Sequence, residues 1–285
     1  MSVQIIADSA SDLPIDYFEE NSLLFLPLTV DLNGEQLKDQ IEASPKKIYD
    51  AMREGAIAKT SQVSPHVFKE TFTDLAKNGT PAVYVAFSSE LSGTYQTAMM
   101  IRNEVLEEYP EAELSIIDSK CASLGYGLAV MYANELAQEG KSFTEIDQTI
   151  RNHCPKIEHI FTVDNLEYLA RGGRISKTSA FVGGLLNIKP ILHVEDGKLI
   201  PLEKIRGRKK VLKRIIEIMK ERGVNLQNQR IAISHGDDID VANEMKALIE
   251  QEFSPKEVYI HYVGAVIGAH SGPGTLAIFF LNAEK

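Results

Sequence analysis

Through the first half of the chain, short apolar runs of strand length each end in a turn rich in Ser, Thr, Asp or Gly, and a helix start follows. This alternation constrains the fold most. Strands linked by helices pair in parallel, and a parallel sheet needs cover on both faces. The runs at 3–7, 23–30, 82–87 and 114–118 read as strands. Ser44-Pro45 and Ser64-Pro65 read as helix starts, each with a hydroxyl cap and a proline in the first turn. Gly55 reads as the stop of the first of these helices. Further helices are predicted over 92–108 and 124–138, and Asn33-Gly34 predicts a tight hairpin turn.

From about Pro155 the pattern changes. Strands are predicted at 159–163, 188–194, 198–204, 230–234, 257–263 and 275–281, with helices over 207–221 and 239–251. Asp196-Gly197 between two of the strands is a hairpin signal. With 285 residues the chain is long enough for two domains. The expected division is 1–155, a parallel-sheet α/β domain, and 156–285, a mixed α/β domain.

Charge and motifs remove several function classes. Residues 1–155 hold 11 basic against 24 acidic side chains, while residues 156–285 hold 19 against 16. An acidic first half argues against a nucleic-acid backbone as partner. The apolar runs are too short for a membrane helix, and the start of the chain lacks signal-peptide character. Cys121 and Cys154 are the only cysteines, so no disulfide framework is expected and a cytoplasmic setting is the default. There is no G-x-S-x-G elbow and no Walker-type phosphate loop. Gly272-Pro273-Gly274-Thr275-Leu276-Ala277 fits a dinucleotide pattern in letters but leads into a strand, where the pattern needs a helix. His153-Cys154 has no partner pair, so neither a metal nor a cofactor is expected.

Ligands of open α/β sheets bind beyond the carboxyl ends of strands. Those ends carry Asp8-Ser9, Ser88-Ser89 with Ser92-Gly93-Thr94, and Asp118-Ser119, and Thr60-Ser61-Gln62 lies between two helices. Neutral hydroxyls beside free helical N–H groups suit a small anion, yet each is also an ordinary helix cap. His270 lies in a glycine-rich stretch from Gly264 to Gly274. That stretch reads either as backbone built to approach a ligand closely or as a plain turn with a surface histidine. Phe87, Phe161, Phe181, Ile267 and Phe279, taken singly, read as core.

In this order, the segments Asp8-Ser9-x-x-Asp12-Leu13, Thr60-Ser61-Gln62-x-Ser64, Ser88-Ser89-x-Leu91-Ser92-Gly93-Thr94-Tyr95 and Asp118-Ser119 resemble the DegV family of bacterial fatty-acid-binding proteins. The likeness continues through Leu169-x-x-Gly172-Gly173-Arg174-Ile175, Leu185-Leu186-x-Ile188-Lys189-Pro190, Arg206-Gly207-Arg208 and Gly268-x-His270-x-Gly272-Pro273-Gly274, and so spans nearly the whole chain. Val63 departs from the proline usual in that family.

The resemblance implies a two-domain DegV-like fold with a long-chain fatty acid buried between the lobes. It implies a carboxylate held by Thr60 and Ser92, with Ser61, Gly93 and His270 close by. It further implies a substrate-presenting subunit, not an enzyme: a separate ATP-binding kinase subunit would convert the bound acid to an acyl phosphate for phospholipid synthesis. A transient membrane contact for lipid exchange goes with that role. The basic stretch from Lys204 to Arg214 then reads as a docking surface, with Arg174 and Arg206 near the phosphoryl-transfer mouth, or as a solvated helix face, or as a nucleic-acid-binding patch, which the lack of interleaved aromatics disfavours, or as the surface of a regulatory protein. The head-group end is expected to be free of fixed cations. The rival reading is an enzyme acting on a small phosphorylated or hydroxylated substrate, with the Ser/Thr cluster as its anion site.

Overall fold

The computed structural model describes residues 2–175 and 188–284. Phe181, Leu185 and Leu186 lie outside the described residues. The chain opens with β1 (Gln4–Asp8), α1 (Ile15–Glu20) and β2 (Leu24–Leu26), then β3 (Thr29–Leu32) and β4 (Glu35–Lys38). The expected single strand over 23–30 is therefore two strands. Asn33 and Gly34 turn the β3–β4 hairpin with positive φ at both residues, as its tight geometry requires. Next come α2 (Pro45–Arg53), β5 (Ala58–Ser61), α3 (Pro65–Lys77), β6 (Ala82–Ala86), α4 (Thr94–Glu108) and β7 (Leu114–Asp118). The Ser44 and Ser64 hydroxyls cap α2 and α3 by accepting from Lys47 N and His66 N.

β2, β1, β6 and β7 pair in parallel in that order, while β4, β3 and β5 form a separate antiparallel sheet. That second sheet was not legible as such, because its strands are only four residues long.

α5 (Ser123–Gln138) and α6 (Phe143–His153) lead through the short turn Cys154–Lys156 to β8 (Ile157–Thr162) and α7 (Glu167–Arg171). The rest is β9 (Ile188–Glu195), β10 (Lys198–Arg206), α8 (Arg208–Arg222), β11 (Arg230–His235), α9 (Ile239–Phe253), β12 (Glu257–Tyr262), α10 (Ala265–Ser271) and β13 (Leu276–Leu281). These strands form a mixed sheet ordered β10-β9-β8-β13-β11-β12, in which only β11 and β12 are parallel. One face carries Ile160, Ile191, Ile231, Ile233, Ile278 and Phe280 and packs with the apolar faces of α8 and α9. By the two-residue period of a strand, the alternate residues His159, Phe161, Ser234, Ala277 and Phe279 take the other face.

α5 is buried over most of its length and touches both the parallel sheet and the mixed sheet. It fits because it is small where it is crowded. A Cβ at Gly125 would stand 2.2 Å from His159 Nε2, and one at Gly127 would stand 2.8 Å from Ser11 O. The lobes also meet at the β9–β10 hairpin tip, where Ser88 Oγ donates to Gly197 O at 2.8 Å.

The glycine-rich stretch forms α10, contrary to both expectations for it. α10 packs on α2, and a Cβ at Gly268 would fall 2.4 Å from Tyr49 Oη. That hydroxyl donates to Val263 O at 3.0 Å. Gly268 thus admits a tyrosine of the first half of the chain, not a ligand.

Candidate functional site

A cavity of about 280 Å³ lies between the mixed sheet and the loops and β5 of the first lobe. Its floor is the second face of the mixed sheet: Ser234, Ala277 and Phe161 stand opposite one another across β11, β13 and β8, with His159 and Phe279 two residues along. Its side is α10. Val266, Ile267 and His270 line it from one face of the helix, and Val263 lines it from just before the helix starts. Phe87, Leu91 and Leu28 close it from the first lobe. Of the five residues read singly as core, Phe87, Phe161, Ile267 and Phe279 border the cavity.

One end is open. Ser61 and Gly93 are exposed there, and Thr60, Ser92, Arg174 and His270 are half-buried. All six border the cavity, whereas Arg206, exposed at the end of β10, does not. Thr60 Oγ1 lies 2.7 Å from His270 Nε2, and Ser92 Oγ lies 2.9 Å from Thr94 Oγ1. Gln62, which also lines the cavity, donates to Thr97 Oγ1 at 2.7 Å. Burial, aided by the neighbouring Arg174 charge, pushes His270 down to about 4. It is therefore a neutral imidazole near pH 7.

The Gly172-Gly173-Arg174 sequence builds this mouth. A Cβ at Gly172 would lie 2.3 Å from His270 Nδ1, so only glycine leaves the ring its place. Gly173 turns the chain at φ +74. Arg174 then reaches the cavity, its Nε donating to Leu91 O at 3.1 Å and its Nη1 to Gly172 O at 2.5 Å. The expectation of a mouth free of fixed cations is thus overturned. A guanidinium keeps its charge even half-buried, and among the described residues this one donates to backbone carbonyls.

The other hydroxyl-bearing turns do not join the mouth. Ser9 Oγ accepts from Leu28 N, Ser119 Oγ donates to Ala86 O, and Ser88 is spent on the hairpin tip. None of these three caps a helix; each is bonded to backbone across the fold. The basic stretch is likewise partly consumed. Arg214 is held by Glu203, Glu217 and Glu221, and Arg208 pairs with Asp238.

The opposite end is deep and was missed by sequence reasoning. Ser123, His159 and Ser234 line it and are at most 5% exposed. His159 is satisfied on both nitrogens: Nε2 accepts from Ala122 N at 3.2 Å, and Nδ1 donates to Ile157 O at 3.0 Å. Burial pushes its pKa to about 4. Ser123 Oγ donates to the buried Asp12 carboxylate and lies 2.9 Å from Ser234 Oγ. Burial holds Asp12 well above the ordinary carboxyl range. Among the described residues, no group of three or more His, Cys, Asp or Glu is disposed to hold a metal. None of the described helices is long and apolar enough to cross a membrane.

The fold and cavity define a two-lobed α/β protein with a largely apolar chamber between the lobes, polar at its open mouth and again at its deep end. The DegV family model matches residues 2–283, and the chain belongs to that family. A DegV domain-containing protein of Clostridium perfringens is 42% identical over 284 residues, which is 99% of this chain and 98% of the relative. A structure described as fatty acid binding of a DegV family protein from Thermus thermophilus superposes with a TM-score of 0.90 at 31% identity, covering 99% of this chain and 100% of that one. A stearic acid-binding protein from Eubacterium ventriosum does so with a TM-score of 0.88 at 27% identity, covering 98% of each chain.

Proposed function

We propose that this protein binds a long-chain fatty acid, with the acyl chain in the chamber and the carboxylate at the mouth. There the acid would meet Thr60 and Ser92, with Ser61, Gly93 and His270 beside them and the Arg174 guanidinium as counter-charge. The observation that carries this reading is one cavity whose walls are largely Phe, Leu, Ile, Val and Ala and whose mouth is made of hydroxyls that, among the described residues, the Arg174 guanidinium joins. An enzyme for a small polar substrate has no use for walls of Phe, Leu, Ile and Val. The fatty-acid-binding relatives support it as well. Burying ~16 carbons at about 0.8 kcal/mol per methylene contributes on the order of 11 kcal/mol gross, before the costs of association. Affinity would thus come from the walls, and the mouth would orient the acid.

The bound acid is presented, in this reading, to a separate ATP-dependent kinase subunit for acyl-phosphate formation. An open mouth leaves the carboxylate reachable. Arg206, exposed and outside the cavity, is suited to docking and not to lipid binding. Charge reversal by Arg206→Glu should slow acyl-phosphate formation with the kinase subunit while leaving lipid retention intact. Equal loss of lipid would refute the docking role. The test of binding itself is native mass spectrometry of freshly purified protein: a mass of one fatty acid, lost on denaturation, is expected. Protein of bare chain mass that also takes up no added fatty acid would refute the reading.

A further inference from the structure

Val194 and Leu199 border the chamber, and they are the register pair that flanks the β9–β10 turn. They belong to an arm of the mixed sheet. β9 pairs with β8 only from Ile191 to His193, so from Val194 to its tip the hairpin has left β8. Among the described residues β10 pairs with β9 alone, and a register shift between Pro201 and Glu203 is of the kind that bends a strand. The other walls are held from two sides. β8, β13 and β11 each lie between two strands, and α10 is seated on α2 and β5. Moving any of these would break a sheet or the packing between the lobes.

The tip, by contrast, has two polar fastenings to the first lobe among the described residues. The buried Ser88 Oγ donates to Gly197 O at 2.8 Å. Lys198 pairs with Glu90 at 3.5 Å, and Lys120 meets the same carboxylate at 3.3 Å. Exposed ion pairs hold weakly, so the hydrogen bond is the latch. Its seat is close-fitting. Gly197 turns the chain at φ +83, and a Cβ there would stand 2.5 Å from Ser88 Oγ. Releasing the latch breaks one hydrogen bond, and water can meet both of its groups once they part. The Val194–Leu199 wall swings away with the tip.

The alternative path threads an acyl tail lengthwise through the mouth, past Thr60, Ser92 and the Arg174 guanidinium. Each methylene would then pass polar groups on its way to the apolar walls. A side opening lets the chain lie down along the floor in one step. We propose that the β9–β10 hairpin is the gate of the chamber and that the Ser88–Gly197 bond is its latch, which sets how fast an acid enters and leaves. This rests on the fatty-acid reading above.

The test uses delipidated full-length protein and cis-parinaric acid, a polyene acid whose fluorescence rises on burial. Uptake is followed by stopped flow, and release by a chase with excess stearic acid. In Ser88→Ala both rates should quicken about fivefold, the scale of one neutral hydrogen bond, with Kd unchanged within about twofold. A gate moves both rates together, whereas a plain wall would raise release alone. A second variant joins Ser88→Cys to Gly197→Cys, positions within disulfide reach of each other. The bridge is confirmed by peptide mapping, because Cys121 lies next to Ser88. Bridged protein should release the acid about tenfold slower, or slower still, than the same protein after reduction. That comparison cancels any strain the substitutions bring. Equal release in bridged and reduced protein, or a Ser88→Ala Kd that rises with unchanged uptake, would overturn the gate and leave the fatty-acid reading intact. Failure of the wild type to take up either acid would overturn both.

Discussion

His159 and His270 share a side chain and an acid shift but differ in cause and in use. His159 is fully enclosed, with burial lowering its pKa and the Ile157 carbonyl and Glu158 opposing. An unfolded histidine titrates near 6.5, so between about 6.5 and 4 the unfolded chain binds a proton that the folded one refuses. The contribution of neutral His159 is therefore complete above pH 6.5 and is lost as pH falls toward 4, on the order of 3 kcal/mol in all. Urea denaturation at pH 7 and pH 4.5 should show a smaller acid loss for His159→Gln than for wild type. Equal losses would refute the assignment. Asp8 works in the opposite sense. Burial, against hydrogen bonds from Tyr84 and others, raises it to about 6, so its contribution is present below about 4 and is lost as pH rises through 6. At the mouth the bonds are few and half-solvated. Thr60→Ala and Ser92→Ala should each weaken fatty acid retention by about 1–2 kcal/mol, the scale of one hydrogen bond to a charged group. Unchanged affinity in the double variant, measured by calorimetry, would remove these two side chains from the head-group site.

Two helices decide where the chamber lies. α5 separates the sheets along part of their length, and its glycines set how near they come. Gly125→Ala drives a methyl into the His159 ring, which has no free rotamer because both nitrogens are bonded. The expected cost is about 1–3 kcal/mol, read as a lowered urea midpoint with unchanged slope. A midpoint equal to that of wild type would mean that α5 has slack. α10 belongs to the second half of the chain in sequence but packs on α2 and β5 of the first. Its identity as a helix was hidden by Gly264, Gly268, Gly272 and Gly274, four residues of poor helix propensity. Propensity lost to packing here, since Gly268 is what lets the helix reach Tyr49. The one available signal was the apolar spacing of Val263, Val266 and Ile267 ahead of His270.

At the scale of the molecule, the chamber is a place where the two lobes fail to pack on each other, and that leaves stability to be supplied by a ligand. A fatty acid at a hundred times its dissociation constant should add about 2.7 kcal/mol to the delipidated protein. For a chain of this size that is a rise of several degrees in Tm. A Tm insensitive to added fatty acid, in protein verified as lipid-free, would speak against an interlobe site.

The sequence by itself determined the parallel sheet, the capped helices and the β9–β10 hairpin, since each is written in local spacing, while the residues of the mouth were named only through the family resemblance. Only the tertiary structure decided which of many like residues face the chamber. Phe161 lines it while Phe72 is core, and Ser234 borders it while Ser119 is spent on a carbonyl. These side chains are chemically alike. What separates them is strand register across β8, β13 and β11 and the seating of α10 on the opposite lobe, both set by contacts between residues far apart in the chain.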